Sequence, residues 1–221
     1  MKVIYKNRLP HIAPVGATFF VTFRLGDSLP LKIITALKDQ LEEAIKHIKA
    51  GKSRGDIQKI RKQYSVFFKK YDQQLDQYPH GKCYLKIPEI AEIVQSKLHS
   101  MDRDLYDLIA YTIMPNHVHI LIDTLIQLID DQGLILDEVP ENYNQLDNIM
   151  RLIKGSTAFD SNKALKREGT FWQKDSFDHF VRNEDELNNI IEYILQNPVK
   201  AGLVENWEDY PYNYVKDIEE K

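Results

Sequence analysis

The sequence has little of what would staple a chain, thread it through a membrane or leave it unfolded. A single cysteine, Cys83, in 221 residues excludes an internal disulfide and every cysteine-based zinc finger, and it suits a reducing compartment. No window approaches the ~18 consecutive apolar residues of a membrane span. The opening MKVIYKNRLPHIAPVG lacks the apolar stretch of a secretory leader, so a cytoplasmic protein with no membrane partner is expected. Glycine and proline number nine each, against 43% hydrophobic and 28% charged residues, which excludes collagen-like and disordered chains. Positive charge is also short. A net charge of -4 argues against a protein that coats nucleic acid indiscriminately. The shortage is local, because residues 124–147 contain no lysine or arginine but do contain Asp130, Asp131, Asp137, Glu138 and Glu141.

What is present reads as one globular domain with additions. Ala17–Leu25 alternates, with Phe19, Val21, Phe23 and Leu25 on one face, and predicts a strand. Helical spacing follows over Leu31 to about Lys49 and, after the break GKSRG, over Ile57 to about Tyr78. A shorter helix is predicted over Ile87–His99, with Pro88 in its first turn. Leu105–Met114 and His117–Asp123 are β-rich runs separated by Pro115 and Asn116, the best hairpin in the chain. The acidic stretch predicts a surface insertion, helical in part at Leu125–Ile129. Leu146–Leu165 restores helical spacing, Phe177–Val181 predicts a short strand, and Glu184 to about Gln196 a helix capped by Asn183, with Glu186 in capping-box register. The tail after Trp207 is expected to wrap the surface.

Two elements carry chemistry. In HVHILI the strand period of two sets His117 and His119 on one face and Val118, Ile120 and Ile122 on the other. Imidazoles so spaced suit one divalent ion, but His-x-His is short and common, and on the pair alone a half-exposed strand with two polar residues is the commoner explanation. In EDELNNIIEYILQNPVKAG, Leu187, Ile190, Ile191 and Ile194 form an apolar stripe, with Tyr193 and Asn197 four apart along its flank. Pro198 disfavours helix at Asn197, which predicts the helix end there. An ordinary amphipathic helix with a satisfied tyrosine explains the pattern too.

The ordered blocks MPNHVHILI, KG, FWQKDSFDHFVR and EYILQNPVKAGLV, with the opening RLPHIAPVGATFFVTFRLGDSLP, resemble the IS200-like single-tyrosine transposases of the HUH superfamily, and among these the REP-associated tyrosine transposase branch. The chain departs from the pattern in the acidic stretch and in the helices between Leu31 and Met101, neither expected to touch the site. The resemblance implies an α/β (α+β) fold: a ferredoxin-like palm, a central antiparallel sheet with packing helices. One domain over 1–221 is expected, with a helical insertion about 31–101 and an acidic one about 124–147. It further implies His117 and His119 as the histidine pair, Tyr193 as nucleophile, and Asn197 as the amide completing a Mg²⁺ or Mn²⁺ site. Glu192 is expected to be solvated.

The implied activity is cleavage and transfer of single-stranded DNA beside hairpins through a 5′-phosphotyrosine, and the implied partner is hairpin or single-stranded DNA. A non-cleaving hairpin-binding protein is the alternative, and a metal-dependent hydrolase a third reading. Arg151, Lys154, Lys163, Lys166, Arg167, Lys174, Arg182 and Lys200 are candidates for DNA contacts, as are Lys59, Arg61, Lys62, Lys69 and Lys70; each run is equally a solvated helix face. Phe171 and Trp172 are candidate base-stacking residues or core anchors. His179 is either a general base or a structural histidine. A monomer and a homodimer sharing its tyrosine helices are both open.

Overall fold

The computed structural model describes residues 2–6, 10–50, 56–77 and 81–216. The break predicted at 51–55 and the acidic residues Asp217, Glu219 and Glu220 lie outside these, and the side chains of Ile57 and Arg61 are not described.

A small hairpin, β1 (Lys2–Lys6) and β2 (Pro10–Pro14), precedes the main sheet. That sheet contains β3 (Thr18–Arg24), β4 (Asp107–Ile113), β5 (His117–Asp123), β6 (Phe177–Phe180) and β7 (Asn213–Val215), in the antiparallel order β6-β3-β5-β4-β7. The helices are α1 (Leu31–Ala50), α2 (Asp56–Gln77), α3 (Pro88–Ser100), α4 (Leu146–Ala164) and α5 (Glu184–Lys200). With α3 between β3 and β4, and α4 between β5 and β6, the four strands β3 to β6 run β-α-β-β-α-β, and the last pairs beside the first. This is the ferredoxin-like order. Since α3 is the palm's own first helix, the added helical segment is the α1–α2 pair.

The two sheet faces differ as the alternation in β3 and β5 dictates. Phe19, Val21 and Phe23 of β3 and Val118, Ile120 and Ile122 of β5 face α3 and α4, where they bury against Ile90, Val94, Leu98, Ile149 and Ile153. Each such side chain contributes about 1.5–3 kcal/mol on leaving water. A one-residue slip of β5 would exchange Val118, Ile120 and Ile122 for His117, His119 and Leu121, putting two imidazoles in the core, so the register is strongly specified. On the opposite face Phe20, Ala110 and Leu121 pack against Ile194 of α5, with Phe68 of α2 at the margin.

Three expectations need correcting. Helix α5 does not stop before Pro198 but runs through it to Lys200. A proline this late loses only the hydrogen bond its own N–H would have made, and the next turn is closed by the Ala201 N–H to the Asn197 carbonyl. The segment after Trp207 is no mere wrapping, because Asn213–Val215 adds an edge strand to β4. Phe171 and Trp172 are 3% and 5% exposed, packed edge-to-face on each other, and the Trp172 indole donates to Thr157 Oγ1 at 2.9 Å. Core anchors in this position are not available for stacking bases. The acidic stretch is irregular apart from a short 3₁₀ turn at Leu125–Leu128, and Asn183 caps α5 by accepting from the Glu186 N–H at 2.8 Å. The Glu186 carboxylate answers at Arg182 N, not at Asn183 N as a strict capping box would require.

Candidate metal and nucleophile site

The central strand β5 presents His117 and His119 to the face opposite α3 and α4, and both side chains are 0% exposed. Their Nε2 atoms lie 3.0 Å apart. Each ring is held from behind. Asn116, in the turn between β4 and β5, accepts through Oδ1 from His117 Nδ1 at 2.7 Å while its Nδ2 donates to the Leu75 carbonyl. With the amide fixed by that second bond, His117 carries its proton on Nδ1 and turns the Nε2 lone pair outward. Thr22, paired with His119 across β3 and β5, places Oγ1 2.7 Å from His119 Nδ1. A hydroxyl serves either tautomer, so His119 can hold a proton or a cation at Nε2.

Helix α5 supplies the third wall. Asn197, buried, sets Nδ2 3.3 Å from His119 Nε2. One turn earlier the Tyr193 ring stands edge-on to His119, centroids 5.6 Å apart, and to Phe20 at 6.0 Å. Lys200 Nζ lies 5.0 Å from the centre of the tyrosine ring. Tyr193, His117, His119 and Asn197, chosen from the sequence, are thus brought together, and Glu192 is exposed.

The fourth wall was not foreseen and overturns the expectation that the helical insertion stands clear of the site. Helix α2 crosses it, placing Asp72 Oδ1 3.2 Å from His119 Nε2 and Asp76 Oδ1 3.9 Å from His117 Nε2. Phe68, one turn before Asp72, packs on Phe177, Tyr193 and His119. Phe68, Asp72 and Asp76 follow at i, i+4 and i+8, so one helix face carries an aromatic stripe into two carboxylates. That spacing is the signal available in the sequence.

The electrostatics follow from burial. Removal from water drives the His117 pKa down, the charge of His119 adds to this, and Asp72 opposes it, leaving about 3. Burial pushes the Asp72 carboxyl up, but His119, by charge and hydrogen bond, then His117 and the Asn197 amide outweigh it and hold Asp72 below its ordinary value. Asp76 is pushed up to about 7, first by burial and then by the charge of Asp72. At neutral pH the site therefore offers a neutral His117 imidazole beside the Asp72 carboxylate.

Asp72, His117 and His119 are within reach of one metal ion, their ligand atoms lying within 4.8 Å of one another. Asp76 Oδ1, Asn197 Oδ1 and the Tyr193 hydroxyl are buried without a hydrogen-bond partner. Buried lone pairs without donors are costly, and a divalent cation held by Asp72, His117 and His119 would satisfy those that reach it. Two histidines and a carboxylate suit Mn²⁺ or similar ions better than two histidines and an amide.

The other sequence candidates divide by position. Lys154 is partly buried, its amine donating to the Lys174 carbonyl at 2.7 Å and to Ser176 Oγ at 3.2 Å. With Arg151 and Lys174 it lines a groove of about 520 Å³ between α4 and residues 169–178. Arg167 donates to the Thr170 carbonyl, and Lys163, Lys166, Arg182 and Lys200 are exposed. On α2, Lys59, Lys62, Lys69 and Lys70 are exposed as well. His179 Nε2 lies 2.8 Å from Glu186 Oε1, the structural reading of that histidine.

No family model matches the chain. A protein of Haemophilus influenzae provisionally named a REP-associated tyrosine transposase is 30% identical to it over 108 residues, 49% of this chain and 58% of the relative. Over that segment the chain is similar to this one curated protein. It spans a little over half the length of that curated relative. Among solved structures, a REP-associated tyrosine transposase bound to a REP hairpin aligns over 97% of this chain and 94% of its own, at TM-score 0.44 and 15% identity. A provisionally named transposase of Deinococcus radiodurans aligns over 88% and 98%, at TM-score 0.28 and 12% identity. The ferredoxin-like assignment rests on strand order, not on these likenesses.

Proposed function

We propose that the protein is a metal-dependent single-stranded DNA nuclease and strand transferase that acts beside DNA hairpins, with Tyr193 as nucleophile. The observation that carries this reading is the meeting of Tyr193 and Asn197 from α5 with His117 and His119 from β5. A bound Mn²⁺ or Mg²⁺, held by His117, His119 and Asp72 with Asn197 beside them, would supply Lewis-acid stabilisation of charge building on the attacked phosphate. Everything else falls to the chain.

The Tyr193 oxygen forms a bond to phosphorus as the bond from phosphorus to the 3′ oxygen breaks. The phenol proton leaves to solvent and the 3′ oxygen takes one, leaving a 5′-phosphotyrosine and a free 3′-hydroxyl. The ester keeps the energy of the phosphodiester, so rejoining needs no nucleotide cofactor. A phenol at an ordinary pKa near 10 is only about 0.1% ionised at pH 7, a handicap of about 4 kcal/mol for attack as phenolate. Lys200, over the Tyr193 ring, favours that anion by charge. Packing of Tyr193 against Phe20 and Phe68 fixes the ring and excludes water from its edge.

Purified protein, Mn²⁺ and a hairpin-bearing single-stranded DNA test this directly. A covalent protein–DNA adduct is expected, lost in Tyr193→Phe and in His117→Ala. An adduct that survives Tyr193→Phe removes the nucleophile assignment. Tight hairpin binding indifferent to chelation, without adduct, supports a non-cleaving DNA-binding protein instead.

A further inference from the structure

Arg24 sits at the end of β3 with 2% of its surface exposed, yet it makes no ion pair among the described residues. Its Nη1 donates to the Leu25 carbonyl at 3.3 Å and to Ser28 Oγ at 3.0 Å, and its Nε to the Tyr71 hydroxyl at 2.5 Å. A buried guanidinium held only by uncharged oxygens forgoes the partner that normally offsets its desolvation. Three hydrogen bonds to neutral oxygens only partly offset the cost of burying that charge, so it calls for another use.

Its position supplies one. Arg24 pairs with His117 across β3 and β5, so it lies on the face that carries Thr22 and the histidine pair, one strand spacing from His117. A second partly buried cation stands close by. The Lys154 amine is pulled down to about 8, by burial first, relieved by Asp175 and reinforced by repulsion from Arg24. Asp175, the carboxylate between them in charge, is already engaged by Lys38 at 3.7 Å.

What covers Arg24 is a row of oxygens on one face of α2. The Tyr71 hydroxyl lies on Arg24, Asp72 Oδ1 on His119 and Asp76 Oδ1 toward His117. Each oxygen rests on a group suited to a phosphate oxygen or to the cation that binds one, and a guanidinium fork matches phosphate better than a phenol.

We propose that Arg24 is a further phosphate-binding residue of this site, holding a DNA phosphate next to the one that Tyr193 attacks, and that Tyr71 of α2 occupies its place in the DNA-free protein. The inference rests on the nuclease reading above. Binding of the strand then exchanges the Tyr71 hydroxyl for a phosphate oxygen at Arg24, with α2 lifted from that end of the site.

Single-phosphate neutralisation tests it. Hairpin-bearing single-stranded DNAs with one methylphosphonate at each position around the cleavage site are titrated against the full-length Tyr193→Phe protein, which binds without cutting. One position beside the scissile phosphate is expected to lose about tenfold in affinity, the size of a charge-assisted hydrogen bond pair. The same position is expected to lose nothing further in the Tyr193→Phe, Arg24→Gln protein. The salt slope of that double variant is expected to be shallower by about 0.7. Arg24→Lys, which keeps the charge without the fork, is expected to fall between them, and it serves alone if the glutamine variant does not fold. Tyr71→Phe is expected to bind DNA more tightly with an unchanged neutralisation profile. The proposal is overturned if the profile and salt slope are the same with and without Arg24, or if Tyr71→Phe weakens binding. Failure of the underlying reading shows elsewhere: the protein with Tyr193 intact then gives no adduct, whatever Arg24 does.

Discussion

Asn116 is the residue whose loss should be felt furthest from its size. Asn116→Leu keeps the volume but removes two buried hydrogen bonds, the one from His117 Nδ1 at 2.7 Å and the one to the Leu75 carbonyl at 3.0 Å. The second caps one of the last carbonyls of α2, which have no partner within the helix. Leaving both groups unpaired away from water costs about 2–4 kcal/mol in all. The imidazole can recover part of this by moving its proton to Nε2, but that withdraws the lone pair a metal needs. Loss of such an outer partner weakens metal binding by about 10–100-fold. Urea unfolding in chelator measures the first quantity, and Mn²⁺ titration by calorimetry of the folded variant the second. Gly81→Ala provides a control of similar destabilisation. Gly81 has φ +79° and an added Cβ would lie 2.5 Å from Asp27 Cγ, a strain of about 1–3 kcal/mol remote from the histidines. Mn²⁺ affinity within twofold of wild type in Asn116→Leu would refute the tautomer reasoning; equal losses in both variants would show that stability alone sets metal affinity.

Acid stability gives a second test with a worked sign. Between the unfolded Asp value of 3.8 and the unfolded His value of 6.5, the unfolded chain takes a proton on His117 that the fold, with its pKa at about 3, refuses. Stability from this source falls as pH falls. Over the same window the fold keeps a proton on Asp76, pKa about 7, that the unfolded chain releases, so stability from that source rises as pH falls. The slopes from these two groups oppose and largely cancel one another over this window. In Asp76→Asn only the histidine slope remains, and stability by urea unfolding should drop by about 1.4 kcal/mol per pH unit on acidification; a flat profile in the variant counts against the burial argument. Trp172→Phe removes the indole bond to Thr157 and leaves a small void, so it should cost about 2–3 kcal/mol while DNA affinity stays within about twofold. A large loss of affinity at unchanged stability would restore the stacking role that burial denies it.

How far the sequence shows the site depends on how local the signal is. The period of two in HVHILI and the i, i+4 spacing of Tyr193 and Asn197 are fixed within six and five residues, and both faces are where the spacing places them. The alternation of β3 likewise predicts which aromatics meet α3 and α4. Asp72 and Asp76 escaped because YDQQLDQ is what a solvated helix end looks like, and only the docking of α2 across β5 turns those carboxylates inward. Docking of one element on another far along the chain is not written in either element's periodicity. The Pro198 misreading has a different origin: proline is disfavoured in helix interiors, but in a last turn few bonds remain to break. For Phe171 and Trp172 the sequence leaves stacking and core roles both open, since an FW pair in a polar stretch carries no period of its own, and their burial decides for the core.

The two halves of the chemistry sit in parts of the sheet with unequal holds on the chain. Strand β5 is bonded on both sides, to β3 and β4, so its amides can exchange with solvent only when the whole palm opens. Helix α5 lies on the sheet through one stripe of side chains, its own backbone bonds closed within itself. Slow hydrogen exchange at His117 and His119, with faster exchange along Glu184–Lys200, would mean that the protein can be disarmed by a local detachment of its nucleophile while the ligand pair stays folded and loaded.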